Sequence, residues 1–97
     1  MAYLFKTITS SAPVQVTGDN TFCSYATFFA YSGFIGGVPQ PNVGTLYLGT
    51  ESTRFPVVIS KSGNYVFNAP KYQNTKDLLQ NFWVSGTAGD GVYVWFY

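Results

Sequence analysis

Histidine is missing from the 97 residues, and cysteine occurs once. Without histidine there is no Ser-His-Asp or Cys-His nucleophile pair and no imidazole metal ligand. Cys23 has no second thiol for an internal disulfide. It sits inside the apolar run 22–31 and reads as a buried small hydrophobe, since a reactive thiol needs an accessible, electropositive setting. One cysteine also suits synthesis and folding in a reducing cytoplasm.

Charge is scarce as well. Asp, Glu, Lys and Arg make up 9% of the chain and the formal net charge is +1, against a usual charged fraction of ~25%. Five Lys and Arg scattered from Lys6 to Lys76 do not build the basic stripe of a nucleic-acid binder, so no nucleic-acid partner is expected. Disorder is excluded by the same composition, because disordered chains are rich in charge and poor in aromatics. No run reaches the ~18–20 apolar residues of a membrane helix. The opening Met-Ala-Tyr-Leu-Phe-Lys-Thr lacks a basic segment ahead of an apolar one, so no signal peptide is expected. Residues 92–97 look like the aromatic end of an outer-membrane barrel strand, but eight spanning strands of ~9–11 residues would use nearly the whole chain. No membrane partner is expected.

Aromatics are what the chain has in excess: nine Phe, eight Tyr and two Trp. Val, Ile, Thr and these aromatics form short runs broken by Gly, Pro and Asn, which predicts strands over 3–9, 14–17, 22–31, 44–49, 55–59, 64–67, 82–85 and 92–97. Ser60-Lys61-Ser62-Gly63-Asn64 reads as a hairpin turn with Gly63 at positive φ, and Asp90-Gly91 as the hairpin turn joining the last two strands. The stretch 32–42, with Gly33, Gly36, Gly37, Pro39 and Pro41, reads as a long irregular loop, and 74–79 as one helical turn. The expectation is a single all-β domain over 1–97, an antiparallel β-sandwich of about eight short strands, with a small barrel as the alternative.

A strand that covers one core alternates apolar and polar residues. In 92–97 both sides are apolar: Val92, Val94 and Phe96 share one, Tyr93, Trp95 and Tyr97 the other. In 22–31, Phe22, Ala26, Phe28 and Ala30 face Cys23, Tyr25, Phe29 and Tyr31 across the strand. The second face is either shielded by loop 32–42 or packed on another chain, as the enrichment of Tyr, Trp and Phe in interface cores suggests. Its candidate contacts are Tyr25, Phe29, Tyr31, Tyr93, Trp95 and Tyr97, with Phe34 and Ile35 at the loop tip. A different use of exposed rings is stacking on sugars, for which Tyr72 and Trp83 are candidates beside Gln73 and Asn74, with Trp95 and Tyr97.

No catalytic constellation emerges. Asp19, Asp77 and Asp90 occupy turn or cap contexts and Glu51 a polar loop. Gly89-Asp90-Gly91 lacks the ligand density of a calcium loop. Gly33 to Gly37 lacks the Lys-Ser/Thr of a phosphate loop. The chain is expected to be no enzyme and to hold no cofactor or metal.

The order of these features resembles the small β-sandwich structural proteins of tailed-bacteriophage virions. The resemblance rests on Tyr3 to Thr9, Val14-Gln15-Val16, Cys23 to Phe28, Gly44-Thr45-Leu46-Tyr47-Leu48-Gly49, Lys61-Ser62-Gly63-Asn64-Tyr65-Val66-Phe67, Asp77-Leu78, Phe82-Trp83-Val84-Ser85-Gly86 and Gly89-Asp90-Gly91-Val92-Tyr93-Val94. The Gly33–Pro41 loop and the Phe and Tyr content depart from it. It implies a non-catalytic virion role: a decoration or cement subunit on the capsid, or a minor neck or tail component. The partners would then be the major capsid or another virion protein and copies of the chain itself. A glycan-binding tip or adhesin module of the virion is the alternative, and a free oligomeric bacterial β-protein a third.

Overall fold

The computed structural model describes residues 2–10, 12–18, 22–51, 53, 55–68, 77–78 and 81–97. Their strands, in chain order, are β1 (Ala2–Thr7), β2 (Val14–Gln15), β3 (Phe22–Cys23), β4 (Tyr25–Phe29), β5 (Tyr31–Ile35), β6 (Val38–Pro41), β7 (Leu46–Gly49), β8 (Val57–Ile59), β9 (Asn64–Asn68), β10 (Asp77–Leu78), β11 (Trp83–Ser85) and β12 (Gly91–Phe96). Two four-stranded antiparallel sheets carry the fold, one in the order β1-β12-β4-β9 and the other β2-β11-β7-β8. Among the described residues these are separate sheets and no barrel closes. The chain is an all-β, sandwich-like protein.

The core lies between the two sheets because each alternating strand turns its aliphatic side inward. Ala26, Phe28, Val92 and Val94 come from the first sheet and Leu46, Leu48, Ile59 and Val84 from the second. Ile8, Val16, Cys23, Ala30 and Phe82 complete the buried set. Phe28 is fully buried and its ring lies 5.0 Å from that of Phe82.

The run 22–31 is not one strand. The N–H groups of Ser24 and Tyr25 both donate to the Tyr97 carbonyl, at 2.6 and 3.0 Å. Two residues opposing one is a bulge, and it reverses the facing of the side chains across it. Cys23 therefore points into the core and not to the side of Tyr25, Phe29 and Tyr31. The expectation of a buried thiol holds, but its assignment to the aromatic face does not.

The stretch 32–42 is likewise ordered, as the β5–β6 hairpin. Gly36 and Gly37 have φ of 58° and 80°, the pair of positive values that a two-residue type I′ turn requires and that Gly-Gly provides without strain. Ile35 pairs with Val38 across the turn and Phe34 with Pro39. Pro39 and Pro41 are tolerated because no further strand among the described residues pairs with this two-stranded ribbon, so a missing N–H can face its edge.

Two expected hairpins are instead crossovers between the sheets. Residues 60–63 lead from β8 in the second sheet to β9 in the first, and Gly63 does not have positive φ. Residues 86–90 lead from β11 to β12, again changing sheet. That turn runs from Thr87 to Asp90, whose N–H donates to the Thr87 carbonyl at 3.0 Å, with Gly89 at φ 94°. Of the expected helical turn, only Asp77 and Leu78 are described, and they form β10, antiparallel to β3.

Candidate functional site: an uncharged aromatic sheet face

Register places the outward residues of the first sheet in rows. Tyr3, Trp95, Thr27 and Val66 lie side by side across β1, β12, β4 and β9, and so do Phe5, Tyr93, Phe29 and Asn64. Tyr25 continues the face and stacks on Tyr97 at 5.0 Å. Among the described residues of these rows there is no charged side chain.

Six other rings of this face, Tyr3, Phe29, Tyr31, Phe34, Tyr93 and Trp95, form one connected cluster. Tyr93 is its centre, 5.6 Å from Tyr3, 6.2 Å from Phe29, 6.3 Å from Trp95 and 5.0 Å from Phe34. Phe29 also stacks on Tyr31 at 5.4 Å, and Tyr31 meets Phe34 edge-on. Tilted and edge-to-face pairs at these separations are favourable beyond their buried area. The face is still open to solvent: Tyr3 is 70% exposed, Tyr97 58% and Trp95 45%. Two shallow concavities flank the Tyr3–Tyr93 contact. One, of about 250 Å³, is lined by Ala2, Tyr3, Tyr93 and Trp95. The other, of about 540 Å³, is lined by Tyr3, Phe5, Gly33, Phe34 and Tyr93.

The expected contacts Tyr25, Phe29, Tyr31, Phe34, Tyr93, Trp95 and Tyr97 thus lie on or against one face. Ile35 stands apart at the hairpin tip, exposed beside Val38. Tyr3 and Phe5 are members that sequence reasoning missed. Their alternation with Leu4 and Lys6 was visible, but only pairing of the first strand with the last puts them beside Trp95 and Tyr93. Trp83 belongs to β11 and, by alternation with buried Val84, stands on the outer side of the second sheet, away from Trp95. Tyr72 lies outside the described residues.

A buried polar clamp fixes the hairpin against this face. Asp90 is 2% exposed; its Oδ1 accepts from Val43 N–H and its Oδ2 from Gly44 N–H, each at 2.8 Å. Asn42, also 2% exposed, donates from Nδ2 to the Gly91 carbonyl at 2.9 Å and accepts at Oδ1 from Gly91 N–H at 3.0 Å. Asn42 directly follows β6 and Gly91 opens β12, so the clamp sets where the hairpin meets the strand that carries Tyr93. Asp90 is therefore more than the turn residue its sequence context suggests. Gly91 is required by space: a Cβ there would lie 2.9 Å from the Tyr31 carbonyl oxygen and 2.8 Å from Phe5 Cζ. Gly91→Ala should destabilise the domain by about 1–3 kcal/mol, measurable by thermal unfolding; an unchanged midpoint would contradict this packing.

Among the described residues, no three His, Cys, Asp or Glu side chains converge as metal ligands would. Comparison with protein-family models, curated proteins and solved structures finds no match to the chain.

Proposed function

We propose that the chain is a non-enzymatic structural component of a tailed-phage virion, made in the host cytoplasm, most specifically a capsid decoration or cement subunit. The observation that carries the reading is the uncharged aromatic face of the first sheet. A face of this composition resembles the core of a protein interface, where aromatics are enriched and charges depleted. Apolar contact holds across ionic strengths that screen exposed charge pairs, as a particle shed into varied media requires. The resemblance of the strand and turn order to virion sandwich proteins supplies the partner class, a major capsid or other virion protein.

Trp95 and Tyr93 are the expected anchors, since truncating a central aromatic typically removes about 2 kcal/mol or more of binding. Trp95→Ala should weaken attachment to capsids roughly 30-fold with circular dichroism unchanged. Undiminished attachment would remove this face from the contact. Mass spectrometry of purified particles checks the location: many copies indicate decoration, a few a neck or tail position.

The two concavities beside Tyr3 favour a second reading, a glycan-binding module of the virion in which sugars stack on Tyr3, Tyr93 and Trp95. Retention on a polysaccharide column that free sugar reverses and Trp95→Ala abolishes would support it. Failure to bind across a broad glycan panel would end it.

A further inference from the structure

The register fixes the chemistry of the open edge of the first sheet. In an antiparallel pair, residues alternate between those that exchange hydrogen bonds with the neighbour and those whose N–H and C=O point away from it. Ile8 N–H donates to the Asp90 carbonyl at 2.8 Å and continues the register in which Thr7 lies opposite Gly91. The even-numbered residues of β1 are therefore the ones bonded to β12. The far side of β12 gives the same parity: Tyr97 and Tyr25 exchange both bonds at 3.0 Å, which assigns the odd residues of β12 to β4 and leaves its even residues for β1. The N–H and C=O groups of Tyr3, Phe5 and Thr7 thus point out of the sheet, where no strand among the described residues meets them.

Sheet edges of this kind are commonly blunted by shortness, proline, bulges or charge. The other three edge strands of the two four-stranded sheets, β2, β8 and β9, have 2, 3 and 5 residues, and Pro56 directly precedes β8. β1 has 6 residues, pairs without a register shift, holds no proline and carries one charge, Lys6.

We propose that β1 pairs antiparallel with β1 of a second copy, extending the sheet across a two-fold axis. Because only odd residues present bonding groups, odd must pair with odd. An axis through Leu4 sets Tyr3 of each copy opposite Phe5 of the other, Leu4 opposite Leu4 and Lys6 opposite Ala2. An axis through Lys6 would instead oppose two like charges, which is unfavourable in a cross-strand pair. In the Leu4 register the row that ends in Tyr3 runs on into the row that begins at Phe5 of the second copy, so the aromatic face continues unbroken over both copies. A second copy is the occupant because β1 matches itself in bonding parity, ring placement and charge. The proposal does not depend on a virion role or on what covers the aromatic face.

Sedimentation and amide hydrogen exchange test it. The wild-type chain should sediment with the mass of two chains. At high concentration the amides of Tyr3 and Phe5 should be as protected as those of Leu4 and Lys6, and dilution should release the odd pair alone. Phe5→Pro removes only an outward N–H, whereas Phe5→Ala keeps it, so the proline variant should sediment as one chain where the alanine variant sediments as two. A wild-type monomer at every concentration overturns the proposal. So does a dimer in which Tyr3 and Phe5 exchange freely, or a proline variant that dimerises like the alanine one. If Phe5→Pro fails to fold, the wild-type exchange pattern decides.

Discussion

Asp90→Ala should lower the melting temperature by about 12–24 °C, the largest effect expected of any polar substitution. Both carboxylate oxygens accept backbone N–H bonds at 2.8 Å, from Val43 and Gly44, and the side chain is 2% exposed. Hydrogen bonds to a charged group contribute about 1.5–3 kcal/mol each, and a buried donor left without an acceptor loses its solvation as well. Two such bonds amount to about 3 kcal/mol at the low end, and a domain of this size loses about 4–8 °C per kcal/mol. Alanine leaves both N–H groups without their acceptor. Asp90→Asn keeps one acceptor and should recover part of the loss. Calorimetry on the three proteins checks the order, and a loss below about 1 kcal/mol for Asp90→Ala would mean that water replaces the carboxylate. The same variant should loosen the ring contact of Phe34 with Tyr93, because Val43 and Gly44 lie just beyond the return strand of the hairpin.

The sequence around Asp90 does not mark it as a buried anchor. Gly89-Asp90-Gly91 carries the signature of a tight turn, and a turn aspartate usually bonds its own neighbours. Its partners here are Val43 and Gly44, 47 and 46 positions away, a distance that no local pattern reports. The sandwich class was legible because alternation and turn spacing are local, and so was the pairing of apolar faces in 92–97. Sheet membership was not. Ser60 to Gly63 and Gly86 to Asp90 have hairpin composition, yet each crosses between sheets, since turn residues specify a reversal and not which strand lies beside the next. The β5–β6 ribbon is hidden for the opposite reason: its glycines and prolines have the composition of breakers, although Gly36-Gly37 is the turn and no further strand among the described residues pairs with the strands that carry the prolines. Part of the aromatic face escaped because Tyr3 and Phe5 join it only through the pairing of the two ends of the chain. Cys23 changed sides because a single bulge at Ser24 reverses alternation.

Phe28→Ala should destabilise the domain by about 3–5 kcal/mol, the range for a buried ring cut back to a methyl group. Phe28 has no exposed surface and sits on β4, with Val94 and Tyr65 beside it in register on β12 and β9. Its ring meets Phe82 at 5.0 Å, and Phe82 meets Phe67 at 5.2 Å, so the cavity would open at one end of a row of three rings and leave Phe82 without one of its two ring partners. Against a typical total of about 5–15 kcal/mol, such a loss is a large fraction of what holds a small domain folded. The informative comparison is with Trp95→Ala, in the adjacent strand of the same sheet but on its outer face, where 45% of the residue is exposed. Urea unfolding should show the Phe28 variant losing several times as much stability as the Trp95 variant, while binding to partners should show the reverse order. Equal losses of stability would mean that the outer rings belong to the fold itself, as a second, solvent-facing core. A stable Trp95 variant with impaired binding would separate the two faces, the inner one holding the sandwich together and the outer one making the contact with another surface that the proposed role requires.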